Sequence, residues 1–124
     1  MTKNKTPTPT CDAMRAAGAW NSDWDVMTEL DSDWTERFMH TVARPLRPGV
    51  LDPKTFELAS IAVDAAVTHM YAPGTRRHIR RALEVGATPE EILAILQLTT
   101  TVGVHSMAMA APILLEEMKR REAA

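Results

Sequence analysis

The chain has 124 residues, 45% of them apolar and 24% charged, with a formal net charge of -2; this size suits one domain with a single hydrophobic core. The near-neutral balance argues against a nucleic-acid surface or an acidic disordered segment. A single cysteine, Cys11, excludes an intrachain disulfide framework, a zinc ribbon and CxxC redox chemistry. The leading residues lack the apolar run of a signal peptide and no stretch of roughly 18 apolar residues occurs, so the expectation is a soluble cytoplasmic protein with no membrane partner.

Residues 1–10, MTKNKTPTPT, offer no large apolar side chain beyond Met1 to offset the entropy of ordering. They are expected to form a flexible tail, with residues 11–124 as the folded domain. A short helical turn is expected from Cys11 to Gly18. Trp20, Trp24 and Met27, then Trp34, Phe38 and Val42, recur at helical spacing on either side of Asp31-Ser32, which predicts two helices, the second over residues 33–43. Three tryptophans so close together suit core or interface anchors better than an aromatic ligand pocket. Arg44-Pro45 and Arg47-Pro48-Gly49 end the second helix.

Asp52 as N-cap and Pro53 at the first helical position start the next helix, expected to run to about Met70. On a 3.6-residue period Glu57, Ser60, Asp64, Thr68 and Tyr71 form one polar stripe, while apolar residues fill the remaining circumference. A helix so apolar is buried on most sides, and one small domain has difficulty covering it, so another copy of the chain is expected against it. Tyr71-Ala72-Pro73-Gly74 reads as the break before a further helix, with His78, Ile79, Ala82 and Leu83 facing inward and Gly86 as its stop. Arg76, Arg77, Arg80 and Arg81 read as a solvated face from which one arginine could reach a pocket or a neighbouring subunit. Thr88-Pro89-Glu90-Glu91 is a capping box opening a helix through about Thr101. The last helix follows Gly103, with Pro112 expected to kink or divide it. No period-2 alternation occurs anywhere, and the fold class is all-α.

The candidates for chemistry are Glu57, His69 and His78, because histidine titrates near neutral pH and a desolvated carboxylate can be tuned toward it. Glu57 is equally readable as a buried partner that fixes the hairpin, and His78 as a core histidine. Asp64 and Thr68 read as structural. Tyr71 is placed either as a donor to a substrate carbonyl or stacked at the turn, and His105 as a further candidate at the start of the last helix. No dense metal motif such as HExxH occurs, so no metal is expected, although His40, His69, His78 and His105 with Glu57 could converge across a fold or interface.

The stretch LDPKTFELASIAVDAAV followed by TRRHIRRALEVGATPEEILAIL resembles the carboxymuconolactone decarboxylase family, which also includes the alkylhydroperoxidase-D-like proteins. The resemblance covers roughly residues 50–118; its most specific parts are the ELxxIA helix start, HxxxAL at His78, and GATPEEI at 86–92. The family's redox branch carries Glu, then CxxC, then His. Glu57 and His78 match the outer two, whereas THMYAPG, slightly longer, replaces the cysteine pair, so thiol peroxidase chemistry is not expected. The cysteine-free branch includes the decarboxylase proper, which acts on a carboxylated muconolactone in aromatic-acid breakdown without a cofactor and retains a histidine matching His78.

The resemblance implies a subunit of about six helices in intimate dimers, commonly assembled as a trimer of dimers, with the site near an interface. The expected function is cofactor-independent acid–base chemistry on a small carboxylated lactone or a related aromatic-degradation metabolite. His78 or His69 would supply the proton, Glu57 would orient a histidine, and Arg77 or Arg81 would hold a substrate carboxylate. The rival reading is a binding or assembly protein on the same fold.

Overall fold

The computed structural model describes residues 5–124. Those residues form helices and no strand: α1 (Pro9–Ala16), α2 (Asp25–Leu30), α3 (Ser32–Ala43), α4 (Pro53–Ala65), α5 (Ala72–Glu84), α6 (Pro89–Thr99) and α7 (Val104–Ala123), with 3₁₀ turns at Ser22–Trp24 and Arg44–Leu46. The chain divides into two compact units, Met1–Leu51 and Asp52–Ala124. The tail expected over residues 1–10 lies outside the described residues at positions 1–4; α1 begins inside its remainder, at Pro9.

In the first unit α1 and α2 both pack on α3. The Glu36 carboxylate on α3 accepts the N–H groups of Thr10 and Cys11 at 2.8 and 3.1 Å, satisfying backbone donors that the first turn of α1 leaves without intrahelical partners. Cys11 and Thr35 are fully buried, and the Thr35 hydroxyl donates to the Asp31 carbonyl at 2.8 Å. Phe38 lies between Trp24 and Trp34, each with its ring centroid 5.2 Å away and the Trp34 pair stacked. Trp20 stands apart, under the Arg15 guanidinium and donating to Asp25 at 2.8 Å. The helix expected from Trp20 begins instead at Asp25, because the Asn21 side chain accepts the Asp23 N–H and opens a 3₁₀ turn first.

In the second unit α4, α5 and α6 pack around Ile61, Ala82, Ala87 and Ile92. Asp52 caps α4 through the Thr55 N–H at 3.0 Å, and Pro53 occupies the first helical position. The capping box of α6 is present with both bonds, Glu91 N–H to Thr88 Oγ1 at 3.1 Å and Thr88 N–H to Glu91 Oε2 at 2.9 Å. The other oxygen of Glu91 accepts from Lys54 at 3.0 Å, which ties the start of α6 to the start of α4. Gly86 takes φ +96° and closes α5 as its residue type predicts.

Three expectations require correction. The helix expected to reach Met70 stops at Ala65, where Ala66 turns to an extended conformation and its carbonyl accepts the N–H groups of His69 and Met70, both at 2.8 Å. Thr68 and Tyr71 therefore leave the helical stripe. The break lies over residues 66–71 rather than at Tyr71–Gly74, because Pro73 and Gly74 belong to the first turn of α5. Of the two outcomes expected at Pro112, division does not occur: α7 is one continuous helix with Pro112 inside it.

Among the described residues of the second unit α7 makes no sizeable contact with another helix, and Met107, Met109, Leu114 and Leu115 stand more than half exposed, as do Val63 on α4 and Val67 just beyond it. The stretch Pro89–Ala123 is by length and composition apolar enough to cross a bilayer. The turn at Gly103, with φ +102°, divides it into α6 and α7.

Candidate active site

Glu57 and Asp64 are seven residues apart on α4, two turns along one face of the helix. The turn over residues 66–71 then returns the chain as α5, antiparallel to α4. Its closure rests on Met70 in the left-handed region at φ +45°, where side chains other than glycine are uncommon, and on the Tyr71 N–H donating to the Asp64 carbonyl at 2.7 Å. The first turn of α5 comes so close to α4 that a Cβ on Gly74 would lie 2.0 Å from Asp64 Oδ2 and 2.6 Å from Tyr71 Cδ1. Glycine is the residue this approach admits. One turn further along α5, His78 reaches the line between Glu57 and Asp64.

The contacts there are short and enclosed. His78 Nδ1 is 2.6 Å from Glu57 Oε2, with the two side chains 16% and 9% exposed. A carboxylate only accepts, so this bond puts a proton on Nδ1 and turns Nε2 outward from Glu57. Nε2 faces Asp64 Oδ2 at 3.7 Å, beyond direct hydrogen-bonding range. The other Asp64 oxygen, Oδ1, lies 3.3 Å from His69 Nε2, on a side chain that is half exposed. The Phe56 ring meets the His78 ring edge-on at 6.3 Å, an apolar wall on the imidazole. No buried side-chain polar atom among the described residues lacks a partner.

Of the residues singled out from sequence, Glu57, His78 and His69 are thus brought into one chain of contacts, and Tyr71 stands beside it, its ring 5.6 Å from His69. His105 is not brought in; it is exposed near the start of α7. Arg77 and Arg81 are half-buried on α5. Among the described residues no cluster of His, Cys, Asp and Glu has the arrangement of a metal site. Two residues with a part in the geometry escaped the sequence reading. Asp64 reads there as structural, although its seven-residue spacing from Glu57 was the available signal. Arg76 lines an open groove of about 490 Å³ together with Ala65, Met70, Ala72, Thr75 and Ile79, and no sequence signal separates it from the other three arginines.

An imidazole held by a carboxylate at one nitrogen, with its other nitrogen presented toward a second carboxylate, can take up and give back a proton at a fixed place.

A solved structure of a candidate gamma-carboxymuconolactone decarboxylase subunit from Burkholderia xenovorans LB400 superimposes with a TM-score of 0.78 at 35% identity over 95% of this chain. The chain spans 49% of that protein's length. No curated protein matches the chain. The family model that describes the carboxymuconolactone decarboxylase family matches residues 32–116, from α3 into α7. The chain therefore belongs to the carboxymuconolactone decarboxylase family, and with one cysteine it carries no CxxC pair.

Proposed function

We propose that this protein is a cofactor-independent decarboxylase of a small carboxylated lactone, or of a related product of aromatic-ring cleavage. The observation that carries the reading is the enclosed 2.6 Å bond between His78 Nδ1 and Glu57 Oε2. By fixing the tautomer and the ring plane, Glu57 makes His78 Nε2 the atom that exchanges a proton with substrate. The carbon–carbon bond to the substrate carboxylate breaks and carbon dioxide leaves. The electron pair stays on the ring as an enolate-like charge, and the proton on Nε2 quenches it.

The groove beside α5 is lined mostly by apolar residues with one cation, Arg76, and by none of Glu57, Asp64, His69 and His78, so a lactone carboxylate held there would have to extend from the groove to reach His78. Arg76 joins Arg77 and Arg81 as a candidate to hold that carboxylate, and Tyr71 is a candidate to donate to a substrate oxygen. His105 would reach a site only from another copy of the chain. The exposed apolar residues of α7 and of Val63 and Val67 support a homo-oligomer built from dimers. The family match crosses the boundary between the two compact units, which supports treating residues 11–124 as one family domain.

The test is carbon dioxide release from 4-carboxymuconolactone by purified protein. Wild type is expected to release it, and His78→Ala to lose about 10²–10⁴-fold in rate. Folded wild-type protein that releases none would remove the activity, and an undiminished His78→Ala would remove the assigned residue. A binding or assembly protein without chemistry is the second reading, favoured by the long uncovered face of α7. It predicts that Glu57→Gln alters thermal stability or assembly while no reaction is found in any variant.

A further inference from the structure

Decarboxylation consumes a proton: a carboxylate and one proton yield carbon dioxide and a new C–H bond. If His78 gives that proton, it must be recharged after every turnover, yet its side chain is 16% exposed and lies between two carboxylates on α4. We propose that Asp64 and His69 form the path that recharges it from solvent; this rests on the decarboxylase reading for its purpose, but not for its geometry.

The geometry is a bridge. Asp64 turns one oxygen to each histidine, Oδ1 to His69 Nε2 at 3.3 Å and Oδ2 to His78 Nε2 at 3.7 Å. The inner histidine is enclosed and the outer one is half exposed, so the three groups lead from the site to water. His69 takes a proton from solvent at Nδ1 and gives its Nε2 proton to Asp64 Oδ1; loss of the Nδ1 proton to water and uptake of one at Nε2 then restore the starting tautomer on this half-exposed ring. Rotation about the Asp64 Cβ–Cγ bond carries the protonated oxygen round to His78 Nε2, which accepts the proton, and Asp64 returns to a carboxylate. That terminal torsion is soft for aspartate. The 3.7 Å separation suits the task, because a permanent short bond from Asp64 would compete with substrate for Nε2.

Two features of the turn fit this role. Gly74 leaves the volume beside Asp64 Oδ2 open, where any Cβ would press on the carboxylate. Met70 accepts a left-handed conformation in the turn that lays His69 over Asp64. Asp64 and His69 act through His78 rather than on substrate, so their loss has a signature different from that of a structural contact.

The first measurement needs no substrate: the rate at which the Nε2–H proton of the doubly protonated His78 ring, the one facing Asp64, exchanges with water, read by nuclear magnetic resonance. His69→Gln, a change on a half-exposed side chain, is expected to slow it about tenfold, and Asp64→Asn at least as much. The second follows carbon dioxide release. In His69→Gln the steady-state rate falls relative to the first turnover, and added imidazole restores it by carrying protons in place of the missing ring. Exchange at the wild-type rate in both variants, with turnover indifferent to imidazole, overturns the path and leaves the decarboxylase reading standing. Slowed exchange in protein that releases no carbon dioxide has the opposite meaning: the path is present and the reading of its purpose is wrong.

Discussion

Glu36 in the first half of the chain and Glu57 in the second are each held across a helix–helix contact, and the two are held differently. Glu36 on α3 is grasped by backbone N–H groups of Thr10 and Cys11, whereas Glu57 on α4 is grasped by the imidazole of His78. Backbone amides do not titrate, so Glu36 is a fixed charge that secures the start of α1. Burial by itself would raise its carboxyl, but the donors from Thr10 and Cys11 outweigh that and hold it below the ordinary value. An imidazole has a second ring nitrogen able to donate or accept, so the group that holds Glu57 also presents Nε2 away from it. The lesson is that a carboxylate's donor, more than its burial, separates a structural latch from a site able to do chemistry.

The sharpest way to break the comparison is to make the same change at both positions. Glu57→Gln removes the acceptor that fixes the His78 tautomer, and turnover of the carboxylated lactone is expected to fall about 10²-fold. Glu36→Gln is expected to leave turnover per folded molecule unchanged. Equal losses at the two positions, measured at matched folded fraction, would mean that the Glu57–His78 bond is another latch.

Gly74 offers a second, smaller test. Gly74→Ala places a Cβ against Asp64 Oδ2 and Tyr71 Cδ1, and either the carboxylate or α5 must move. The expected cost is about 1–3 kcal/mol of stability, as for other insertions into a packed contact, with the His69–Asp64 contact disturbed in the same step. Full stability and an unshifted His69 ring signal in the variant would show that the approach of α5 to α4 is looser than 2.0 Å implies.

These two tests also divide what the sequence makes legible from what it does not. The start of α4 at Asp52-Pro53, the capping box at Thr88, the stop at Gly86 and the inward placement of Glu57 and Ala82 all follow from local rules, because caps and helical periodicity act within a few residues. The end of α4 does not. Val67, Thr68 and His69 continue the expected pattern, and only the return of α5 against α4 makes an early turn at Ala66 the better solution. The error carries into the site. With Thr68 and Tyr71 kept on the stripe, Asp64 is one polar residue among five; with the helix ending at Ala65 it stands at the helix end, facing two histidines. Gly74 shows the same limit, since its residue type signals a break but its use is a close approach inside a helix. Arg76 could not be told from its neighbours because four arginines on one helix differ only in what the other helices bring near them.

The smallest effect lies at the latch and is read in acid. The Glu36 carboxyl is lowered in the folded chain relative to 4.5, so its contribution is present above that value and is lost as pH falls through the lower, folded one. A charged acceptor for two amides, partly exposed, is worth about 1 kcal/mol after solvent screening. Glu36→Gln should lower stability by that amount at neutral pH and by progressively less in acid, so that the two proteins converge below the folded value. Cys11 gives an internal control at the other end of the scale. Its thiol is pushed up to about 11 by burial first and by the neighbouring Glu36 second. Native protein should therefore resist thiol alkylation at mildly alkaline pH, and in Glu36→Gln, with the negative charge gone but the burial kept, alkylation should remain slow. Rapid labelling of Cys11 in folded wild type would mean that α1 leaves α3 readily, and that the Glu36 latch is weaker than the contrast with Glu57 requires.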